Sequence, residues 1–307
     1  MITNRPLLSL CIPTNGVKKW LIPVLESIYE QEVDISLFEV VITNNSQFSQ
    51  EFEDSLLPYK KFSNFIYKRT NAVGFLNQID CFFASNGNMI KLVNHRAKLL
   101  PGTIEYFLDF IRTYGNRRPV AYFSNGMLRM DEVYLCSTFD KFMFKLSYWS
   151  SWSAGLVLWR EDLFSIQELE CDTMFPHLSL LSNNCNSGLF VIDDKHLFCM
   201  QDEAGKGGYN VFNTFAVHYL NLIRKEQNLF HINEKTYKHI KYDLYFDFFR
   251  KCYFDLFYNR KHHCFDLENT KEAFKVNYSI WHYYALNVYS VLYLPVHFFK
   301  KIVQYVK

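Results

Sequence analysis

The strongest constraint lies in the first hundred residues, where short apolar runs ending in polar clusters alternate with helical patterns. Leu7-Leu8-Ser9-Leu10-Cys11-Ile12-Pro13 is too short for a helix and is broken by its proline, so it predicts a buried strand. Thr14-Asn15-Gly16 then turns the chain. From Lys18 onward Trp20, Leu21, Val24, Leu25 and Ile28 recur at helical spacing, which predicts an amphipathic helix laid on a sheet. Phe38-Glu39-Val40-Val41-Ile42 predicts a second buried strand, and the polar cluster Thr43-Asn44-Asn45-Ser46 follows it. Ile66-Tyr67-Lys68 predicts a third strand, Gly74-Phe75-Leu76-Asn77 opens a helix running to Ala84, and Asn88-Met89-Ile90-Lys91-Leu92-Val93 predicts a fourth strand. Buried strands joined by helices define a doubly wound sheet, whose ligands bind outside the carboxyl ends of the strands. Neither GxGxxG nor GxxxxGK[ST] follows any of these strands, which leaves dinucleotide and P-loop sites without support.

Composition narrows the class further. The chain has 307 residues, 49% of them apolar and 21% charged, with a net charge of +2, which excludes a disordered tail or a polybasic nucleic-acid arm. Aromatic residues reach 18%, with 30 Phe and 21 Tyr. That excess predicts a thick core plus some surface that meets apolar partners or a membrane interface. The eight cysteines lie singly, with no CxxC pair, and predict a reducing compartment. The first residues carry no long apolar run followed by a small-residue cleavage site, so a cytoplasmic location is expected.

Five segments fall in register with one family. Leu10-Cys11-Ile12-Pro13-Thr14, Leu25-Glu26-Ser27-Ile28, Val40 to Ser46, Asn71-Ala72-Val73-Gly74-Phe75 and Leu99-Leu100-Pro101-Gly102 resemble, in order and spacing, the family 2 glycosyltransferases of bacterial surface-polysaccharide assembly. Further on, Trp152-Ser153-Ala154-Gly155-Leu156-Val157 and Phe175-Pro176-His177-Leu178 resemble acceptor-side segments of the O-antigen type. The resemblance implies an α/β, GT-A-like doubly wound mixed sheet flanked by helices over residues 1–225. An α-helical, aromatic-rich segment would follow over 226–307. It also implies inverting transfer of a sugar from a nucleotide-sugar donor to a glycan or lipid-linked acceptor.

Carried over residue by residue, the family's nucleotide-sugar contacts fall on Pro13, Thr14, Asn44, Asn45, Gly74 and Asn77. Relatives usually have Asp where Asn44 stands. An amide suits the donor and acceptor edge of a base, and Asn44-Asn45-Ser46 also reads as a plain turn. The main departure follows the fourth strand. Relatives carry there an acidic DxD-type motif that holds a divalent metal, Mn or Mg; this chain has Asn94-His95-Arg96-Ala97-Lys98. A hard cation wants carboxylate oxygens, so no metal ligand is expected, and Arg96, helped by His95 and Lys206, would neutralise the leaving diphosphate. The alternative is a catalytically inactive binding partner of another transferase. For the base that takes the acceptor's proton the candidates are Asp172 and His177. Asp172 reads equally well as a helix cap, and His177 as a buried structural histidine. Asp193-Asp194 resembles a metal pair but reads as a strand leading into a polar turn.

From Tyr209 the pattern turns helical, and Val276 to Phe299 contains no Asp, Glu, Lys or Arg. That length would span a bilayer, yet Asn277, Asn287, His282, His297 and several tyrosines are poor material for a hydrocarbon core. Two readings stand: a helix in the membrane interface, which would make the protein peripheral on the inner face of the cell membrane, or a helix packed on the rest of the chain.

Overall fold

The first apolar run forms β1 (Leu8–Thr14), buried at every position but Pro13. Its lack of alternation is what a strand covered on both faces requires. It pairs in parallel with β2 (Phe38–Asn44), from Leu8 opposite Phe38 to Thr14 opposite Asn44, so the two polar strand ends lie side by side. The crossover is α1 (Lys18–Tyr29), which buries Trp20, Leu21, Val24, Leu25 and Ile28. After α2 (Gln50–Ser55), β3 (Phe65–Arg69) joins the far side of β2 and sets Arg69 beside Asn44. A tight turn at Gly74–Leu76 and α3 (Asn77–Ala84) then carry the chain back across to β4 (Met89–Leu92), parallel to β1 on its other side. The strand order therefore reverses between β1 and β4. At such a switch point the two connections leave toward opposite faces and open a crevice at the strands' carboxyl ends.

Beyond β4 come β5 (Ala97–Leu99), α4 (Thr103–Tyr114), β6 (Val120–Phe123), β7 (Val133–Cys136), α5 (Phe139–Leu146), β8 (Leu156–Trp159), α6 (Asp162–Ile166), α7 (Pro176–Asn183), β9 (Phe190–Asp193) and β10 (Phe198–Met200). The eight-stranded sheet runs β3-β2-β1-β4-β8-β6-β9-β7. It is mixed, because β8 is antiparallel to both its neighbours and β7 is antiparallel to β9. β5 and β10 form a separate antiparallel ribbon directly after the turn that follows β4.

The computed structural model describes residues 5–201, 207–259 and 263–306, with side chains as far as 295. It divides into two units, Met1–Asp202 and Glu203–Lys307. The helical pattern that the sequence divides at 225 thus falls wholly in the second unit. The physical reason is Phe212, fully buried among Phe249, Tyr253, Phe257 and Phe274, which ties the start of that pattern to later helices. This unit holds β11 (Gly207–Asn210), α8 (Leu220–Asn228), α9 (Glu234–Asp243), α10 (Arg250–Tyr253), β12 (Cys264–Asp266), α11 (Thr270–Asn277) and α12 (Ile280–Val306). Wide π turns at Asn213–Tyr219, Leu244–Phe249 and Phe254–Tyr258 interrupt its helices.

Candidate active site

The carboxyl ends of β1, β2 and β3 and the turn after β4 converge on one place. Thr14 is buried; its Oγ1 accepts the Gly16 amide at 3.2 Å and shares a 3.0 Å hydrogen bond with His95 Nδ1. Gly16 sits at φ +77°, and a Cβ there would lie 2.3 Å from Ser46 Oγ, so only glycine lets the β1 loop close on the β2 loop. No side chain caps the first turn of α1, which begins beside this loop.

The three asparagines expected to meet the nucleotide all come to this region, and all have their amides engaged. Asn44 is fully buried; it donates to the Tyr67 hydroxyl at 3.3 Å and accepts the Ser46 amide at 3.0 Å. Asn77, also buried, donates to the carbonyls of Thr14 (3.2 Å) and Thr43 (2.9 Å) and accepts from Thr70 Oγ1 (2.8 Å). Asn45 holds the Ala72 and Gly74 carbonyls, both at 3.0 Å. These residues stitch the strand-end loops together. Pro13 is half-buried within β1, and Gly74 is exposed at φ +54° where the rim turns into α3. Sequence reasoning passed over Arg69, which donates to the Ser46 carbonyl at 2.8 Å, pairs with Glu53 at 3.4 Å and lies over Phe48. Only the register of β3 against β2 places it here, so no local signal marked it.

After β4 the chain turns sharply. Asn94 accepts the Arg96 amide on its Oδ1 at 2.9 Å and the Ala97 amide on its carbonyl at 2.8 Å. The Arg96 guanidinium lies 3.3 Å from the centroid of the Trp20 ring. The Gln201 amide donates to the Arg96 carbonyl at 2.9 Å, and the Gln201 side chain donates to the Trp20 carbonyl at 2.8 Å, which fixes the stack from both sides. His95 packs against the same indole, with ring centroids 5.3 Å apart. Burial, reinforced by the Arg96 charge, pushes the His95 imidazole down to about 4, so at neutral pH it is uncharged. Lys206 lies outside the described residues.

A divalent metal does not fit this donor set. Asn94 Oδ1 is engaged within its own turn, His95 Nδ1 is engaged with Thr14, and the third residue is a cation. Among the described residues no group of three His, Cys, Asp or Glu is placed to hold a metal ion. Hard cations take carboxylate oxygens, and none is offered at 94–96.

Further along the sheet, Lys91 is wholly buried in β4 and donates to the carbonyls of Leu92 (2.9 Å) and Ala154. Burial lowers its ammonium to about 7. A lone lysine inside an apolar strand was the visible signal for it. Gly155 presses on the Tyr122 ring, whose hydroxyl donates to the carbonyls of Trp149 and Trp152. Asp172 Oδ1 accepts the amides of Met174 (2.9 Å) and Phe175 (2.7 Å), and its own amide donates to Ser179 Oγ (2.9 Å), so it organises the turn into α7. His177 is 2% exposed, with Nε2 3.1 Å from the Ser150 carbonyl and Nδ1 without a hydrogen-bond partner. Burial pushes this imidazole down to about 4. Asp194 is buried and accepts from Ser124 Oγ (2.6 Å) and the amides of Leu128 (3.1 Å) and Met130 (2.7 Å); Asp193 accepts the Tyr106 hydroxyl at 2.9 Å. Both carboxylates fasten loops.

With its mixed eight-stranded sheet, its switch-point crevice and its flanking helices, the first unit has an α/β fold of the GT-A-like type. The solved structures that share it include S. aureus TarS 1-349 in complex with UDP-GlcNAc (14% identity, 87% of this chain and 78% of that one, TM-score 0.59). A longer structure of S. aureus TarS matches at 17% identity and TM-score 0.56, with 82% of this chain and 45% of that one covered, so the chain spans less than half of that protein. The mannosyltransferase PcManGT from Pyrobaculum calidifontis, in complex with GDP-Man and Mn2+, matches at 13% identity over 95% of this chain and 81% of that one, with TM-score 0.54. Likeness at such identities is a likeness of fold. No protein-family model and no curated protein matches the chain.

Proposed function

We propose that the chain is an inverting glycosyltransferase. It moves a sugar from a nucleotide-sugar donor to a glycan or lipid-linked acceptor in bacterial surface-polysaccharide (O-antigen or capsule) assembly. The observation that carries this reading is the convergence of Thr14, the Gly16 loop, the Asn77 staple and the Arg96–Trp20 stack at the β1/β4 switch point. The nucleotide-sugar complexes of TarS and PcManGT on the same fold support a donor of that class. In a single displacement the acceptor hydroxyl oxygen attacks the anomeric carbon, the bond from that carbon to the diphosphate oxygen breaks, and a base takes the hydroxyl proton. The base falls to Asp172, which is half-buried, rather than to His177, which is 2% exposed and keeps Nε2 on the Ser150 carbonyl. The leaving diphosphate takes its counter-charge from Arg96, whose planar fork matches phosphate oxygens and is oriented by the Trp20 face. His95, uncharged, positions Thr14.

One observation favours a second reading, a catalytically inactive binding partner: the rim asparagines are occupied and no carboxylate stands at 94–96. Thermal stabilisation by UDP, GDP, CDP and TDP, each with EDTA or Mn2+, together with hydrolysis of the matching nucleotide-sugars, separates the two. Active transfer predicts that one nucleotide raises the melting temperature in EDTA, that Arg96→Ala abolishes the rise, and that the corresponding sugar donor is hydrolysed. Nucleotide binding without hydrolysis supports the inactive partner, and stabilisation that needs Mn2+ overturns the role given to Arg96.

A further inference from the structure

Helix α12 has two different faces, and only one of them is covered. Inward, Leu286 is buried, Asn287 Oδ1 accepts the Tyr253 hydroxyl at 2.8 Å, and Tyr293 meets Phe254 edge-on at 4.9 Å. Outward, Trp281 (73% exposed), Tyr284, Val288, Val291 and Leu292 (71% exposed) face solvent. Their spacing puts them on one stripe, about 17 Å long at the rise of an α-helix. The outer face of a surface helix normally carries charge, yet residues 280–299 contain no Asp, Glu, Lys or Arg. Beside the stripe Lys271 Nζ lies 5.4 Å from the Tyr284 ring centroid.

The charge around this face is predominantly positive, the neighbouring carboxylate of Glu272 being paired with Lys275 at 2.8 Å. From Ala273 to Lys307 there is no acidic residue, and Lys275, Lys300, Lys301 and Lys307 are the cations; four positive charges exceed the chain's net +2, so the rest of the chain is net acidic. Among the described residues no helix is long and apolar enough to cross a membrane. We infer that the outer face of α12 seats the protein on an anionic lipid surface, with the helix lying in the interface plane. Trp281 and Tyr284 are amphipathic rings suited to headgroup depth, Val288, Val291 and Leu292 enter the acyl boundary, and a lysine such as Lys271, beside Tyr284, meets lipid phosphates. Each such lysine adds about 1 kcal/mol near an anionic surface. A second copy of the chain fits less well, because two such ends back to back would bring together more lysines than the paired Glu272 can offset.

The test is flotation of the full chain with phosphatidylcholine vesicles and with vesicles that also hold about 30% phosphatidylglycerol, compared with a Trp281→Ser/Leu292→Ser variant and with analytical ultracentrifugation in the absence of lipid. Both changed side chains are largely solvent-exposed, so melting temperature and circular dichroism should not move. The expected result is flotation with the anionic vesicles, weakened by high salt, and a loss of about tenfold or more in the variant. Failure to float with anionic vesicles overturns the inference, as does a variant that floats equally well. A dimer that the same double change dissolves assigns the face to a second copy and overturns it too.

Discussion

Asp172 and His177 stand five residues apart, and burial separates what they can do. Asp172 keeps one carboxylate oxygen on the amides of Met174 and Phe175, a geometry that an Asn side-chain oxygen reproduces. Asp172→Asn should therefore leave the melting temperature nearly unchanged while turnover falls by about 10²- to 10⁴-fold, the scale of losing a general base. His177→Asn should do the reverse, lowering the melting temperature through lost packing while turnover per folded molecule stays within a few-fold. Paired measurements of kcat and Tm decide it; full turnover in Asp172→Asn would remove Asp172 from the chemistry. At this scale the sequence was legible where one residue breaks a pattern. Asn94-His95-Arg96 stood out as a departure from a motif, whereas Lys91, a charge inside an apolar strand, was passed over. Arg69 and Tyr67 were not legible, because their meeting with Ser46 and Asn44 comes from the pairing of β2 with β3, and Glu53 of α2 joins them only through those two side chains. The burial of Asn44 and Asn77 was equally invisible, since an amide beside a strand end reads the same whether it faces a ligand or a carbonyl.

Elements were legible where hydrophobic period and length agree. The runs that became β1, β2 and β4 are buried on both faces, and α1 shows its inner stripe directly in sequence. The three-residue strands β5 and β10 exist only as each other's partner, so neither carries a period of its own. The same holds for the boundary between the units, which depends on where Phe212 is buried. One close contact between elements gives a sharp test. Gly155 opens β8 against Tyr122 of β6, and a Cβ there would lie 2.1 Å from the ring, which is itself held by its hydroxyl. Gly155→Ala must push a buried aromatic ring aside and should cost about 1–3 kcal/mol, the usual price of overpacking. Gly188→Ala, where nothing lies within 4 Å, should cost far less. Urea denaturation of both variants checks the difference, and equal midpoints would mean that the Tyr122 contact is loose.

At the scale of the molecule, the notable electrostatic choice is that three buried bases among the described residues, Lys91, His95 and His177, hydrogen-bond to no carboxylate. Lys91, His177 and His95 are each easier to hold neutral than charged because burial strips water from the cation, and at His177 the Ser150 carbonyl offsets this only in part. The consequence for stability has a definite sign. Between pH 4 and the ordinary histidine value of 6.5, the unfolded chain binds a proton at His177 that the folded chain refuses, so stability falls as pH drops through that window. For His177 the loss is on the order of 3 kcal/mol. Lys91 acts between about 7 and 10.5: the unfolded lysine is protonated there and the folded one is not, so stability rises with pH from 7 upward. Asp162 and Asp193, raised by burial, work in the opposite direction, but only at acid pH, where their window opens at 3.8. The melting temperature should accordingly climb from pH 5 to 6.5 and climb again from pH 7 to 8.5. Lys91→Met should flatten the second rise and leave the first, and His177→Asn should about halve the first, which His95 also feeds, and leave the second. Parallel curves for the parent chain and Lys91→Met between pH 7 and 8.5 would show that the buried ammonium keeps its proton. The link from β4 to the Ala154 carbonyl would then rest on a charged rather than a neutral amine.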